Sequence, residues 1–238
     1  MRELIRRAWE VGAGMDRVVF LSIIAVVGGG WLFLAIADEV VEGESARFDE
    51  AVLLMFRNPE NPEDAIGGPE IEELIRDLTA LGGVAIISLV TISAVVFLIM
   101  DRKGHAAVLV LLATVGGQLI SSGLKAYYDR PRPEIVPHLM HAARGSFPSG
   151  HSLLAAVTYL TIGALLAQMV TQRRLKVFIL GVAVIITMMV GVSRIYLGVH
   201  YPTDVLAGWT LGFIWATLCA QVAQWLRQRG MVEQAIDA

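Results

Sequence analysis

Residues 83–100 have the sequence GVAIISLVTISAVVFLIM, a stretch of eighteen residues without a charged side chain. A helix needs about 20 mostly apolar residues to cross the roughly 30 Å hydrocarbon core of a bilayer, so this stretch is long enough for one span. Five more apolar runs accompany it, at about residues 18–37, 106–124, 152–170, 177–193 and 204–225, of which 177–193 is short for a span. Six such runs in 238 residues leave too little polar chain to cover them in water. The pattern therefore predicts an all-α, polytopic bundle of six transmembrane helices.

The composition of the chain also favours a bilayer. Hydrophobic residues make up 55% of it and charged residues 17%, with a mean hydropathy of +0.63. The net charge of -3 offers no broad basic surface of the kind that binds nucleic acid phosphates, so nucleic acid is excluded as a partner. Cys219 is the single cysteine of the sequence and lies in the last apolar run, which predicts a small core residue.

The N-terminus shares one feature with secretion signals. Arg2, Arg6 and Arg7 precede the first apolar run, which ends in Ala35-Ile36-Ala37. The run is longer than the apolar core of a typical signal. We therefore expect an uncleaved first span and a single membrane-embedded domain over residues 1–238.

A hydrophilic segment at about 38–82 separates the first two apolar runs. It contains thirteen Asp or Glu residues against three arginines, and Pro and Gly residues in its middle indicate turns. Apolar residues then recur at Ile71, Leu74, Ile75, Leu78 and Leu81, the spacing of one helix face. Two interpretations of this amphipathic helix stay open: a connector lying on the membrane surface, or a lid that contacts substrate.

The orientation follows from lysine and arginine, which are enriched in short cytoplasmic loops. These residues gather before the first run, between the second and third, between the fourth and fifth, and after the sixth: Arg2, Arg6, Arg7, Arg17, Arg102, Lys103, Arg173, Arg174, Lys176, Arg227 and Arg229. Both termini are therefore predicted in the cytoplasm, in a cell inner (cytoplasmic) membrane. The segments 38–82, 125–151 and 194–203 are predicted together on the extracytoplasmic side.

Most of the unusual polar residues lie in the last two of these segments, at the ends of apolar runs. A transferring phosphoryl group needs positive charge and N–H donors around its oxygens, a nucleophile in line and an acid for the leaving oxygen. Lys125, Arg132 and Arg194 can supply charge, and Ser149-Gly150 precede a helix whose N-terminus can bind an anion.

Two histidines can serve the two ends of such a reaction. His200 comes four residues before Asp204, one helical turn if a helix begins near Pro202. The carboxylate can then bond one ring nitrogen and leave the other free to attack. His151 can protonate the departing oxygen.

These residues resemble the motifs of the type 2 phosphatidic acid phosphatases and their soluble relatives, the vanadium haloperoxidases and bacterial acid phosphatases. The first block is Lys125, six residues and Arg132-Pro133, and the second is Pro148-Ser149-Gly150-His151. The third is Ser193-Arg194, five residues, His200, three residues and Asp204, and the blocks occur in the family's order.

The resemblance implies a role for each matched residue. His200 is the nucleophile that forms a phosphohistidine, Asp204 orients it, and His151 is the general acid. The phosphate is held by Lys125, Arg132, Ser149, Gly150 and Arg194, without a metal ion or an organic cofactor. The implied substrate is a membrane lipid phosphate or diphosphate of the undecaprenyl diphosphate, phosphatidylglycerol phosphate or phosphatidic acid type, with lipid A phosphates as further candidates. The sequence does not choose among these.

Several polar residues outside the motifs have more than one interpretation. Arg130 is a phosphate contact, a residue of an extended Pro-rich turn, or an ion-pair partner of Asp129. His138 and His141 are either a metal pair or loop histidines in contact with water and headgroups. Tyr127, Tyr128 and Tyr201 fit an interfacial aromatic belt, and Tyr201 is also a candidate for the pocket wall. The glycines at 28–30 and 116–117 favour close helix packing over a phosphate loop, since they lie inside apolar runs.

Two other functions fit the same anion site. A haloperoxidase would hold vanadate there, but the soluble relatives lack the six spans. A transporter or lipid-binding protein would bind phosphate without chemistry, but it would not need His200 and Asp204 opposite His151. Phosphate release distinguishes an enzyme from a binding protein.

Overall fold

The structure, a computed structural model, describes residues 17–140 and 145–228. Within these residues the chain forms eight helices and one two-stranded hairpin. They are α1 (Arg17–Glu42), α2 (Ala46–Leu54), β1 (Arg57–Asn58), β2 (Asn61–Ala65), α3 (Gly68–Ala80), α4 (Val84–Met100), α5 (Gly104–Tyr128), α6 (Gly150–Gln168), α7 (Arg173–Tyr196) and α8 (Pro202–Gln228).

The helices confirm the predicted all-α membrane bundle. Five of them, α1, α5, α6, α7 and α8, are long and apolar enough to cross a membrane. Helix α4 has 17 residues and joins α3 at an angle of 42°, and this bent pair is the candidate for the sixth span. The apolar run at 177–193 is short, but α7 extends beyond it at both ends and has 24 residues. The run underestimates the helix because charged side chains lie in its first and last turns.

Helix α6 forms the centre of the bundle and packs against α5, α7 and α8. Glycines on α8 allow the closest of these approaches. A Cβ atom on Gly212 would lie 2.5 Å from Cβ of Ala156, and one on Gly208 would lie 2.6 Å from the carbonyl oxygen of Ser149. Such contacts suit a bundle in lipid, where helix association depends on close packing rather than on burial from water.

The predicted packing role of the glycine runs is correct for some of their members. A Cβ atom on Gly29 would lie 2.9 Å from Cγ1 of Ile214, and one on Gly116 would lie 2.5 Å from the ring of Trp215. Gly28 and Gly30 face open space instead. Cys219 is buried in a core cluster, as expected.

The hydrophilic segment between α1 and α4 packs onto the end of α7 that precedes the loop 197–201. Arg57, in the hairpin, donates from Nη1 to the carbonyl oxygen of Tyr196 at 2.9 Å. The hydroxyl of Tyr196 in turn donates to the carbonyl oxygen of Ile66 at 2.7 Å. Helix α3 also packs against α7. The segment is therefore part of the folded core around the His200 loop.

Candidate active site

The three polar stretches singled out in the sequence meet at one end of the bundle. Successive spans alternate in direction, so the end of α5, the start of α6, the end of α7 and the start of α8 come together. These termini carry Lys125, His151, Arg194 and Asp204, while Arg132 and His200 lie in the connecting loops. The eight predicted site residues therefore belong to one region.

The ring of His200 lies between Asp204 and Arg132. Its Nδ1 lies 3.3 Å from Oδ2 of Asp204, and its Nε2 lies 3.3 Å from Nη1 of Arg132. An ionised carboxylate only accepts hydrogen bonds and a guanidinium only donates them. Nδ1 therefore carries the proton, and Nε2 presents its lone pair to the cationic side of the site.

The carboxylate of Asp204 is fully buried and accepts hydrogen bonds from several sides. Besides His200, Oδ2 accepts from the hydroxyl of Ser146 and from the backbone N–H of Tyr201, the latter at 2.9 Å. Oδ1 accepts from Nη1 of Arg130 at 2.7 Å. A buried charge is tolerated when it is paired and hydrogen-bonded in this way. These donors fix the carboxylate behind the imidazole.

Two of the predicted phosphate-binding cations are held by the loop before α6. Lys125 Nζ donates to the carbonyl oxygen of Gly145 at 3.0 Å, and Arg132 Nη2 donates to the same oxygen at 3.3 Å. Arg132 Nη1 also donates to the carbonyl oxygen of Val199, next to His200. One carbonyl thus brings an ammonium and a guanidinium close together beside the imidazole.

Arg194 is the third cation and is 2% exposed. Its Nη1 donates to the hydroxyl of Thr79 at 3.2 Å and contacts the sulfur of Met140 at 2.9 Å. Its buried Nε has no hydrogen-bond acceptor among the described residues. Buried donors are normally paired, so this N–H is suited to an anionic ligand.

The environment of His200 favours the neutral imidazole. Burial lowers the pKa of His200 well below its usual value, and the nearby charges of Arg194, Lys125 and Arg132 lower it further. A neutral imidazole keeps the lone pair that a nucleophile needs. The residues that could hold a phosphate therefore also keep His200 reactive.

The start of α6 differs in one respect from the expected anion cradle. The backbone N–H of Ser149 donates to the carbonyl oxygen of Asp204 at 2.9 Å, so it is already used within the protein. Helix α6 begins at Gly150, where an added Cβ atom would lie 3.0 Å from the hydroxyl of Ser121 and 3.5 Å from Cε of Lys125. The missing side chain at Gly150 lets the lysine approach this helix end.

His151 lies against the break between α3 and α4. A Cβ atom on Gly82 would lie 3.1 Å from the carbonyl oxygen of His151, and one on Gly83 would lie 3.8 Å from its Nε2. Tyr159, two turns further along α6, donates its hydroxyl to the carbonyl oxygen of Leu81 at 2.7 Å. The bend of the second span therefore borders the predicted general acid.

Of the interpretations of Arg130, the ion pair with Asp129 is wrong. Its guanidinium bridges two buried carboxylates, with Nη1 at 2.7 Å from Oδ1 of Asp204 and Nη2 at 2.8 Å from Oδ2 of Asp49. The guanidinium carbon also lies 4.2 Å from the ring centre of Tyr201. Asp129 ends α5 in a left-handed conformation and is not among the partners of Arg130.

Asp49 is one of the residues around the site that sequence reasoning missed. It is one of thirteen acidic residues in the hydrophilic segment, yet it is fully buried. One local signal was available, since Ser45 lies four residues earlier and donates its hydroxyl to Asp49 at 3.1 Å. That spacing alone would not have connected Asp49 with Arg130, which lies 81 residues further along the chain.

The remaining loop residues have mixed outcomes. His138 Nε2 lies 2.6 Å from the carbonyl oxygen of Pro133, while His141, its proposed metal partner, lies outside the described residues. Tyr127 is exposed, as an interfacial residue would be, and Tyr128 packs edge-on against Phe147 at 4.9 Å between ring centres.

The chain is similar to known membrane phosphatases. The profile of the PAP2 superfamily matches residues 106–228, just over half of the chain. Phosphatidylglycerophosphatase B of Bacillus subtilis (strain 168) is 36% identical over 151 residues, which cover 61% of this chain and 72% of that protein. An undecaprenyl-diphosphatase of Sulfolobus acidocaldarius is 38% identical over 77 residues, 32% of this chain and 33% of that protein.

A solved structure also matches this fold. The crystal structure of the transmembrane PAP2 type phosphatidylglycerolphosphate phosphatase from Bacillus subtilis superimposes with a TM-score of 0.75 and 28% identity. The match covers 85% of this chain and 98% of the crystallised one. Fold, site and relatives together define a multi-pass membrane lipid phosphatase, a hydrolase of phosphoric esters. The chain belongs to the PAP2 superfamily.

Proposed function

We propose that this phosphatase transfers the phosphoryl group of a lipid phosphate or diphosphate to Nε2 of His200 and then to water. The observation that carries the proposal is the orientation of one imidazole. Nδ1 of His200 faces Asp204 while Nε2 faces Arg132, so the lone pair points to where an anion would be attracted. Phosphoryl transfer needs this in-line placement of a nucleophile against a charge-neutralised phosphate.

In the first step, the lone pair on Nε2 forms a bond to phosphorus and the bond to the lipid oxygen breaks. Lys125, Arg132 and Arg194 neutralise the charge that develops on the three other phosphate oxygens. His151 donates its proton to the leaving oxygen. The anionic phosphate itself favours the protonated form of His151 when substrate is bound. Asp204 accepts a hydrogen bond from the Nδ1–H of His200 and so stabilises the positive charge that forms on the ring.

In the second step, water attacks the phosphohistidine and the bond between phosphorus and Nε2 breaks. His151, now neutral, takes a proton from the attacking water. Inorganic phosphate leaves and His200 regains its lone pair. Ser149 and Gly150 form the start of α6, whose N-terminus lies beside Lys125 and favours an anion. In this proposal the protein and water supply every group used in these steps, without a metal ion or an organic cofactor.

The substrate class follows from the setting of the site at the end of a membrane bundle. The proposed substrates are lipids of the phosphatidylglycerol phosphate, undecaprenyl diphosphate or phosphatidic acid type. The first two are supported by the names of the relatives in Bacillus subtilis and Sulfolobus acidocaldarius. The lipid portion would remain in the bilayer while its phosphate reaches the cations at the bundle end.

The proposed location is the cell inner membrane, with the site on the extracytoplasmic side. The opposite end of the bundle carries Arg102, Lys103, Arg173 and Arg174, which favours a cytoplasmic position for that end. Substrate would therefore come from the outer leaflet of that membrane.

The test is phosphate release by the purified protein in detergent over a panel of these three lipids, followed by trapping of the phosphoenzyme. With a lipid labelled in its terminal phosphate, we expect protein-bound label that survives alkali and is lost in acid. The label should be absent in His200→Ala. Turnover without label on His200, or label that persists in His200→Ala, would contradict the proposed mechanism.

A further inference from the structure

Asp49 brings a buried negative charge into the site from outside the motifs. It is fully buried, although it lies in a segment that is otherwise rich in exposed acids. Burying an ionised carboxylate is costly unless it is paired and hydrogen-bonded. The position of Asp49 therefore depends on its partners, and these belong to the surroundings of His200.

Both oxygens of Asp49 accept hydrogen bonds from the start of α8 or from Arg130. Oδ1 accepts from the backbone N–H of Thr203 at 3.0 Å, and Oδ2 accepts from the hydroxyl of Thr203 at 2.7 Å. Oδ2 also accepts from Nη2 of Arg130 at 2.8 Å. Thr203 is the second residue of α8 and directly precedes Asp204. Asp49 thus holds the backbone of Thr203, next to Asp204, and also holds Arg130, the ion-pair partner of Asp204.

Arg130 connects the two carboxylates through its planar fork. Nη1 contacts Asp204 and Nη2 contacts Asp49, so rotation of the guanidinium is restricted at both ends. The charge of Arg130 is also shared between two carboxylates. If Asp49 were neutral, the whole attraction of the guanidinium would fall on Asp204 and compete with its hydrogen bond to His200.

We propose that Asp49 is a positioning residue of the phosphatase site, which acts through Arg130 and Thr203 to hold Asp204 behind His200. This inference rests on the proposed function, in which His200 is the nucleophile. Asp49 does not contact His200 itself. It keeps the orienting carboxylate in place, and a misplacement of about 1 Å in such a group can cost about 100-fold in rate.

Asp49→Asn tests the proposal because it keeps the shape of the side chain but replaces one oxygen by an NH2 group. The neutral side chain can then no longer accept hydrogen bonds from Thr203 and Arg130 with two oxygens. We expect kcat on the best lipid of the panel to fall about 10- to 100-fold. KM should change by less than about threefold, since Asp49 does not contact the phosphate. An unchanged kcat in a folded variant would overturn the proposal.

Asp64→Asn is the matched control. Asp64 lies in the same segment, in the exposed hairpin, where it accepts a hydrogen bond from Asn61 at 2.9 Å. Asp64→Asn removes the same charge as Asp49→Asn, but the side chain of Asp64 does not contact α8. Its kcat should stay within about twofold of the wild-type value, as expected for a surface substitution. An equal loss in Asp64→Asn would assign the effect to the charge of the segment and overturn a specific role for Asp49.

A double-mutant cycle with Arg130→Gln tests whether Asp49 acts through Arg130. The loss in the double variant should be clearly smaller than the product of the two single losses, because both remove the same ion pair. Independent, multiplying losses would contradict that route. If Asp49→Asn does not fold, Arg130→Lys replaces it, since a lysine keeps the charge but cannot bridge Asp49 and Asp204.

Orthovanadate binding separates this inference from the proposed function. If the wild-type protein hydrolyses none of the lipids, the proposed function fails, and Asp49 is then judged by vanadate affinity alone. Vanadate that bonds to Nε2 needs the same oriented His200, so its affinity should fall about tenfold in Asp49→Asn. Equal affinities would overturn the inference. The inference would also be overturned if the wild-type protein bound no vanadate, because there would be no phosphate-binding site for Asp49 to support.

Discussion

The hydroxyl of Thr79 accepts a hydrogen bond from Nη1 of Arg194 at 3.2 Å, and both side chains are 2% exposed. Thr79 belongs to α3, in the hydrophilic segment, whereas Arg194 is a motif residue at the end of α7. The amphipathic helix predicted in that segment therefore contacts a residue of the proposed site, and its two interpretations, a connector on the membrane surface or a lid, both stay open. We propose that it helps to fix Arg194, one of the proposed phosphate-binding cations.

Thr79→Val should weaken substrate binding more than it slows the chemical step. Valine keeps the shape of the side chain but removes the hydroxyl that holds Arg194. One such hydrogen bond is worth about 0.5–1.5 kcal/mol, so KM should rise roughly 2- to 12-fold while kcat changes little. Thr91→Val is the control, because Thr91 is also buried but bonds to Thr114 within the α4 and α5 pair. Steady-state kinetics that give the same KM for both variants would contradict this role.

Activity should survive removal of divalent metal ions. In the proposed mechanism the charge of the phosphate is met by Lys125, Arg132 and Arg194, so a chelator removes nothing from the site. We expect phosphate release to stay within about twofold after dialysis against EDTA, well short of the loss that follows when a catalytic metal is removed. Loss of activity that zinc or magnesium restores would show that a metal takes part.

The site should be accessible from outside the cell. In a Cys219→Ala background, Glu134→Cys should react with an impermeant maleimide added to intact cells, and Gln172→Cys should react only after lysis. Both positions are exposed, so their reactivity reports the side of the membrane rather than burial. The reverse pattern would place the active site in the cytoplasm and make inner-leaflet lipids the substrates.

The spans and the convergence of the motifs could be predicted because both depend on local sequence. An apolar run marks a helix by itself, and the alternation of spans places the ends of α5 and α7 beside the starts of α6 and α8. Lys125, His151, Arg194 and Asp204 were found in this way. The length of α7 was underestimated because Arg173 and Arg194 lie within its first and last turns.

The residues that support Asp204 could not be predicted because they depend on contacts between distant parts of the chain. Asp49 and Thr203 are 154 residues apart, and the hydrophobic pattern of α2 gives no sign that its aspartate is buried. An ion pair of Arg130 with Asp129 was one alternative because the two are neighbours in sequence. In the folded protein Arg130 instead forms ion pairs with two buried carboxylates, those of Asp49 and Asp204.

Arg132→Gln should move the acid limb of the pH profile to higher pH. Burial and the cations Arg194, Lys125 and Arg132 lower the pKa of His200, and only the neutral ring can attack. Without Arg132 the pKa of His200 rises, so protonation begins to reduce kcat/KM at a higher pH. Arg76→Gln is the control, since Arg76 is an exposed partner of Glu72. If the acid limb keeps its position in Arg132→Gln, Arg132 does not control the pKa of His200.

The two histidines should differ in their dependence on the leaving group. His200→Ala should abolish turnover on every substrate, because no phosphoenzyme forms without the nucleophile. His151→Ala should lose about 10²- to 10⁴-fold on a lipid phosphate, whose alkoxide needs a proton to leave. On p-nitrophenyl phosphate the loss should be at least about tenfold smaller, since p-nitrophenolate leaves unprotonated. Both variants are compared with wild-type protein by kcat/KM on the two substrates. Equal losses in His151→Ala would remove the general-acid role and leave His151 as a phosphate contact.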